Sequence, residues 1–199
     1  MPTLIENTTH YVQQTLASAE GGHDWWHVQR VWHNAQLIAD HEGGNRLVID
    51  LGALLHDIAD AKFHGGDEEE GPRRAMVYLT EQAVDPPVIE AVAHIIRQVS
   101  FRKGAVPDTL ELAIIQDADR LDALGAVGIA RAFSYGGFKG HPLYDPTSPP
   151  PGKTTINHFY DKLLLLKDRM NTEAGKRLAT DRHQFMEQYL TQFFREVGE

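Results

Sequence analysis

The stretch Leu54-Leu55-His56-Asp57-Ile58-Ala59-Asp60 sets an imidazole and two carboxylates into an apolar segment running from Leu47 to Ala61. Leu51, Leu54, Leu55 and Ile58 recur at i, i+3, i+4 and i+7, the stripe of a core-facing helix. On such a helix His56 and Asp60 are four apart and Asp57 and Asp60 three apart, so all three project to one side. Charge buried there is costly unless it is paired or binds a metal. Further candidates lie far off in sequence. His27, Arg30 and Asn34 follow one another at i, i+3 and i+7, and the apolar run Leu110 to Leu121 contains Asp117 and Asp119, with Asp122 just beyond. Two imidazoles and two carboxylates, from His27, His56, Asp57 and Asp119, suit a borderline-to-hard divalent ion: Mn, Fe, Zn, Mg, Co or Ni. On a six-coordinate ion they leave room for water or phosphate oxygens. Spacing by itself does not select these four from eleven histidines and many carboxylates, and a histidine with aspartates on a helix's wet side is the plain alternative.

Helical spacing accounts for the elements that must position these groups. Leu4, Ile5, Tyr11, Val12 and Leu16 pattern a first helix over residues 3–19. Asp24 opens a second as N-cap or first-turn carboxylate, Val28, Val31, Trp32, Ala35, Ile38 and Ala39 form its stripe, and Gly43-Gly44 ends it. The His56–Asp57 helix is third. A fourth is expected from about Pro72 to Ala83, and a fifth, carrying His94 and Arg97, after Asp85-Pro86-Pro87. Asp108 and Glu111 stand as a capping box at the start of the sixth. Gly125 and Gly128 allow close packing or a bend before Ile129 to Phe133. Residues 134–153, rich in Gly, Pro, Ser and Tyr, read as one long loop. Two helices, 155–170 and 173–197, complete an all-α chain in which residues 1–199 form a single domain.

Composition narrows the function classes. A net charge of −9 argues against a broad basic surface for nucleic-acid polymers. The absence of cysteine excludes disulfides, thiolate metal sites and cysteine nucleophiles, and fits a reducing, cytoplasmic setting. Glu6 and His10 stand where a signal peptide would carry an apolar run, and no stretch has the length of a membrane span. Nothing signals a protein partner.

Three motifs, in order, resemble the HD superfamily of metal-dependent phosphohydrolases. They are His23-Asp24-Trp25-Trp26-His27-Val28-Gln29-Arg30-Val31, then Leu54-Leu55-His56-Asp57-Ile58-Ala59-Asp60, then Gln116-Asp117-Ala118-Asp119-Arg120-Leu121-Asp122. The run Thr154 to Leu163, with Gly175-Lys176 later, is similar to the small stand-alone bacterial branch of that superfamily, so the resemblance spans nearly the whole chain.

The resemblance implies a helical bundle of the HD-domain type in which His27, His56, Asp57 and Asp119 hold one divalent metal. Asp117 is the alternative to Asp119; otherwise it is an acceptor near the site or a partner of Arg120. Asp60, three positions after Asp57, corresponds to the carboxylate that handles the attacking water, while the metal polarises a phosphoryl oxygen and activates water. Arg30 and Lys62 are the best-placed cations to offset phosphoryl charge. His94 is a candidate substrate contact, and Lys139 and His141 in the long loop are candidates to close over a ligand. His23 is expected beside the start of the helix carrying His27, Trp25 and Trp26 in the core, and His10, His33, His41, His64, His158 and His183 in structural or surface positions. The implied substrate is a small phosphorylated molecule, a nucleotide first, with triphosphate cleaved to monophosphate and pyrophosphate. The alternatives are a 5′-nucleotidase, a phosphodiesterase, or a non-catalytic metal or nucleotide sensor.

Overall fold

Apolar residues at helical spacing build nine α-helices, and no strand, among the described residues of this computed structural model, which are 2–17, 24–59, 67–99, 106–148 and 150–198. Contacts group them into two units, Met1–Ala118 and Asp119–Glu199, and the division falls inside one continuous helix, the sixth.

The first unit holds α1 (Leu4–Thr15), α2 (Trp25–Glu42), α3 (Arg46–Leu55), α4 (Glu70–Glu81), α5 (Pro86–Gln98) and most of α6 (Leu110–Leu121). Helix α3 is its centre and packs on α1, α2 and α5. Ile49, Leu51, Ala53, Leu54 and Leu55 are fully buried, so α3 is enclosed on more than one stripe. Gly52 permits the approach to α5, since a Cβ there would lie 3.1 Å from Ile95 Cδ1. Helix α1 is held by a parallel stack of Tyr11 on Tyr78, ring centroids 4.1 Å apart, and by the Tyr78 hydroxyl, which donates to Thr8 Oγ1.

Several boundaries match the sequence reading and several do not. Asp24 caps α2 by accepting from the His27 N–H, and Gly43, at φ 82°, ends it. Helix α1 stops at Thr15, and α3 stops at Leu55 rather than continuing to Ala61. The His56 ring explains the second stop: its Nδ1 bonds Ala53 O at 2.8 Å, taking a carbonyl that a continuing helix would use, and the chain goes on in turns through Ala59. The start of α6 also differs. Thr109 supplies the cap by accepting from Leu112 N–H, Asp108 is bound to His94, and Glu111 accepts from Asn45 N–H at the start of α3.

The second unit holds the end of α6, then α7 (Gly125–Phe138), α8 (Thr155–Asp161), two short 3-10 turns (Leu163–Leu165 and Lys167–Arg169) and α9 (Glu173–Val197). Its core joins Phe133, Phe159, Tyr189 and Phe193 through ring contacts of 5.9 to 6.3 Å. Helix α7 takes in 134–138, so the described irregular residues are 139–148 and 150–154 rather than a loop over 134–153. Gly136 is not a breaker: a Cβ there would fall 2.1 Å from Thr155 Oγ1, so the position lets α7 approach α8 closely. The helix expected over 155–170 breaks at Lys162, where φ of −142° leaves the helical region. No described helix is long and apolar enough to cross a membrane.

Candidate metal centre

His27 is the third residue of α2, fixed by the Asp24 cap, and is 1% exposed. His56 takes the position after the last residue of α3 and is 8% exposed. Because Ala53 O can only accept, the bond to it places a proton on His56 Nδ1 and leaves Nε2 with its lone pair free for bonding. That Nε2 faces His27 Nε2 at 3.4 Å, and the rings meet edge-on at 65°. Asp57 Oδ2 lies 3.8 Å from His27 Nε2. Asp119 follows Ala118 on α6, and one ligand atom from each of His27, His56 and Asp119 lies within 4.8 Å of the other two.

This donor set fits a divalent ion. Two ligands each about 2.1 Å from one ion stand about 3.0 to 3.4 Å apart, and the two imidazole nitrogens are 3.4 Å apart. A lone pair on His56 aimed at a second imidazole and at carboxylates is repulsive until a proton or a cation lies among them. His27 and His56 are both buried, so water screens that repulsion little at the rings.

The other expected residues are placed as follows. Asp117 is fully buried on α6 and lies outside the three-residue group that contains Asp119. Arg30 is half-buried one turn beyond His27. His94 Nε2 is committed to Asp108 Oδ1 at 2.8 Å, and this bond holds the Asp108 carboxyl below its usual range. Lys139 is exposed at the end of α7, its ammonium 5.3 Å and 5.7 Å from the ring centres of Phe138 and Tyr135. His141 meets Tyr135 edge-on. Trp26, expected in the core, is 61% exposed because it falls on the outer side of the first turn of α2. Asp60, Lys62, His23 and His64 lie outside the described residues. Arg120 donates to Arg169 O at 2.6 Å.

Asn34 is visible in the sequence only through its spacing from His27, with no role attached. Asn34 is buried on α2 and donates to Ala118 O, a last-turn carbonyl of α6 directly before Asp119. Its spacing of seven from His27 was the available signal; its partner, 84 residues away, was not.

The chain is similar to known proteins over nearly its whole length. The model of the HD domain family matches residues 25–124, which include His27, His56, Asp57 and Asp119. The uncharacterized protein YpgQ of Bacillus subtilis is 38% identical over 96% of this chain and 93% of its own length. A crystal structure described as an HD-superfamily hydrolase from Bacillus thuringiensis is 45% identical, with a TM-score of 0.83, covering 97% of this chain and 96% of that one. YpgQ crystallised in complex with ADP superposes with a TM-score of 0.80 at 34% identity over 98% of both chains. With half the chain matched by the family's model and near-complete coverage by such relatives, this protein belongs to the HD domain family.

Proposed function

We propose that this protein is a metal-dependent phosphohydrolase acting on a nucleotide, with cleavage of a nucleoside triphosphate to monophosphate and pyrophosphate as the favoured reaction. The observation that carries the reading is the convergence of ligand atoms from His27, His56 and Asp119 within 4.8 Å, with Asp57 beside His27. The hydrolase class is supported by the B. thuringiensis relative, and the nucleotide by the ADP bound to YpgQ. His27, His56, Asp57 and Asp119 would hold one divalent ion, chosen among Mn, Mg, Fe, Co, Ni and Zn. When bound, such an ion supplies Lewis acidity toward a phosphoryl oxygen and toward water.

The remaining work falls to the chain. In this reading Asp60 accepts the proton of the attacking water, and Arg30 and Lys62 offset charge gathering on the phosphoryl oxygens. Water adds at the α-phosphorus, the bond to the bridging oxygen breaks, and pyrophosphate leaves.

A metal-supplemented screen of nucleoside triphosphates, diphosphates, monophosphates and a phosphodiester, with separate assays for pyrophosphate and orthophosphate, tests the assignment. Pyrophosphate in a one-to-one ratio with monophosphate is expected. Orthophosphate from monophosphates would replace it with a 5′-nucleotidase, and tight nucleotide binding without turnover would replace it with a sensor. Asp60→Asn is expected to keep the metal and lose at least about 100-fold in kcat, the usual scale for a positioned general base. Full activity in that variant removes Asp60 from the mechanism.

A further inference from the structure

The turn that follows Asp119 is locked by two arginines from the second unit. Helix α6 ends at Leu121, so its last carbonyls need donors from elsewhere. Asp122 N–H bonds Asp119 O at 3.1 Å, closing the turn on which Asp119 stands. The Asp122 carboxylate, in a residue only 1% exposed, is paired with Arg131 of α7, and the same guanidinium donates to Asp122 O at 3.3 Å. Arg182 of α9 donates to Leu121 O at 2.6 Å. Cations at a helix C-terminus also interact favourably with its dipole. Arg182 is half-buried, which pushes its pKa down, and the nearby Asp122 charge opposes that.

The backbone is shaped to admit these groups. Gly125, at φ 70°, starts α7 where a Cβ would come within 3.1 Å of Arg182 Cγ and 3.2 Å of its Cβ. At Gly128 a Cβ would fall 2.3 Å from Ala123 O. Gly125 therefore lets the start of α7 pass tightly against the arginine that caps α6, and Gly128 lets α7 close on the Ala123 backbone in the turn between the two helices. A generic helix end needs neither a buried carboxylate nor two guanidinium groups.

We infer that Arg131, Asp122 and Arg182 are positioning residues for Asp119: they fix the end of α6 so that the Asp119 carboxylate is presented as a metal ligand. This rests on the reading of Asp119 as a ligand, given above. Groups that orient a ligand without touching the ion typically change affinity by 10 to 100-fold.

The test measures Mn2+ affinity by calorimetry and the visible absorption of the Co2+-loaded protein, both without substrate, for wild type, Arg131→Met, Arg131→Lys and Arg182→Met. About a 10-fold weaker Kd and a shifted Co2+ band are expected for Arg131→Met and Arg182→Met, with Arg131→Lys recovering part of both. Phe193→Leu, in the aromatic core of the same unit, serves as the control for lost stability and is expected to lower Tm while leaving Kd and spectrum unchanged. Wild-type affinity and spectrum in both methionine variants overturn the inference, as does an equal loss in Phe193→Leu. If Arg131→Met does not fold, Arg131→Lys and Arg182→Met decide by the same readings. Absence of metal from the wild type would instead sink the ligand reading itself, so the two failures are told apart.

Discussion

Among the described residues, two pairs of side chains bury a histidine beside a charge or a second ring, and they differ in what converges on the ring. His56, in the first unit, has its proton fixed on Nδ1 by Ala53 O, its Nε2 faces His27 Nε2 at 3.4 Å, Asp57 lies beside His27, and a ligand atom of Asp119 falls within 4.8 Å of the two rings' ligand atoms. In the second unit, His183 of α9 is equally buried at 8% exposure, but its Nε2 meets only the exposed Glu187 at 3.3 Å, one turn along the same helix, and its Nδ1 has no hydrogen-bond partner. Burial of an imidazole therefore says little about function. What separates the two is convergence: ring nitrogens from the start of α2 and the end of α3 face each other, and the His56 ring is held by a bond on its far nitrogen.

The largest expected contrast is in metal content. His56→Ala should reduce the bound divalent ion from about one per chain to none, while His183→Ala should keep the full complement, both read by elemental analysis after desalting. Loss of metal in His183→Ala, or retention in His56→Ala, would reverse the comparison.

Glycines in α7 sharpen it through stability. At Gly128 a Cβ strikes the Ala123 backbone, whereas at Gly137 a Cβ meets nothing within 4 Å. Gly128→Ala should therefore destabilise by about 3 kcal/mol or more, because backbone cannot yield as a side chain does. Gly137→Ala, at an open site in the last turn of α7, should be neutral or stabilise by up to about 0.5 kcal/mol. Urea unfolding midpoints check both, and similar midpoints for the two variants would contradict the tight α6–α7 turn.

Asn34 comes next. Asn34→Ala removes the side-chain donor to Ala118 O, a loss of about 0.5 to 1.5 kcal/mol. Metal affinity should weaken with it, since Ala118 directly precedes Asp119. Unchanged stability with unchanged affinity would show that α2 does not steady the end of α6.

These cases also show which parts of the molecule could be read from the chain. The extent of α2 was legible because its signals are local: Asp24 caps the third residue on, and Gly43 adopts a positive φ at the other end. The all-α class followed from apolar spacing. The end of α3 was not legible, because a ring rotamer of His56 rather than a breaking residue stops it. Gly136-Gly137 looks like a break in one dimension, but Gly136 is explained only by Thr155, which the fold brings against it. Asp108 lost its expected capping role to a neighbour for the same reason, since His94 fourteen residues earlier claims it. In the candidate site, the His56–Asp57 pair stood out at once, whereas the Asp122–Arg131–Arg182 brace joins residues up to 61 positions apart with no pattern to announce it.

The smallest expected effect concerns His158 of α8, which is neither buried like His183 nor convergent like His56. Burial, and then the nearby Lys162 charge, pushes its pKa below the ordinary value of 6.5. The sign follows from proton counting. Above pH 6.5 the ring is neutral in both folded and unfolded chains, so it contributes no pH dependence. As pH falls through 6.5 the unfolded chain takes up the proton first, and stability declines until the folded ring is protonated too. The half-exposed ring keeps this contribution below about 1 kcal/mol. Urea midpoints for wild type and His158→Gln, taken from pH 7.5 down to pH 5, should coincide in slope above pH 6.5 and diverge below it, with the variant losing less. Parallel curves across the whole range would mean that His158 titrates alike in both states, so that among the described histidines partial burial would not set His158 apart, whereas convergence of neighbours does set His56 apart.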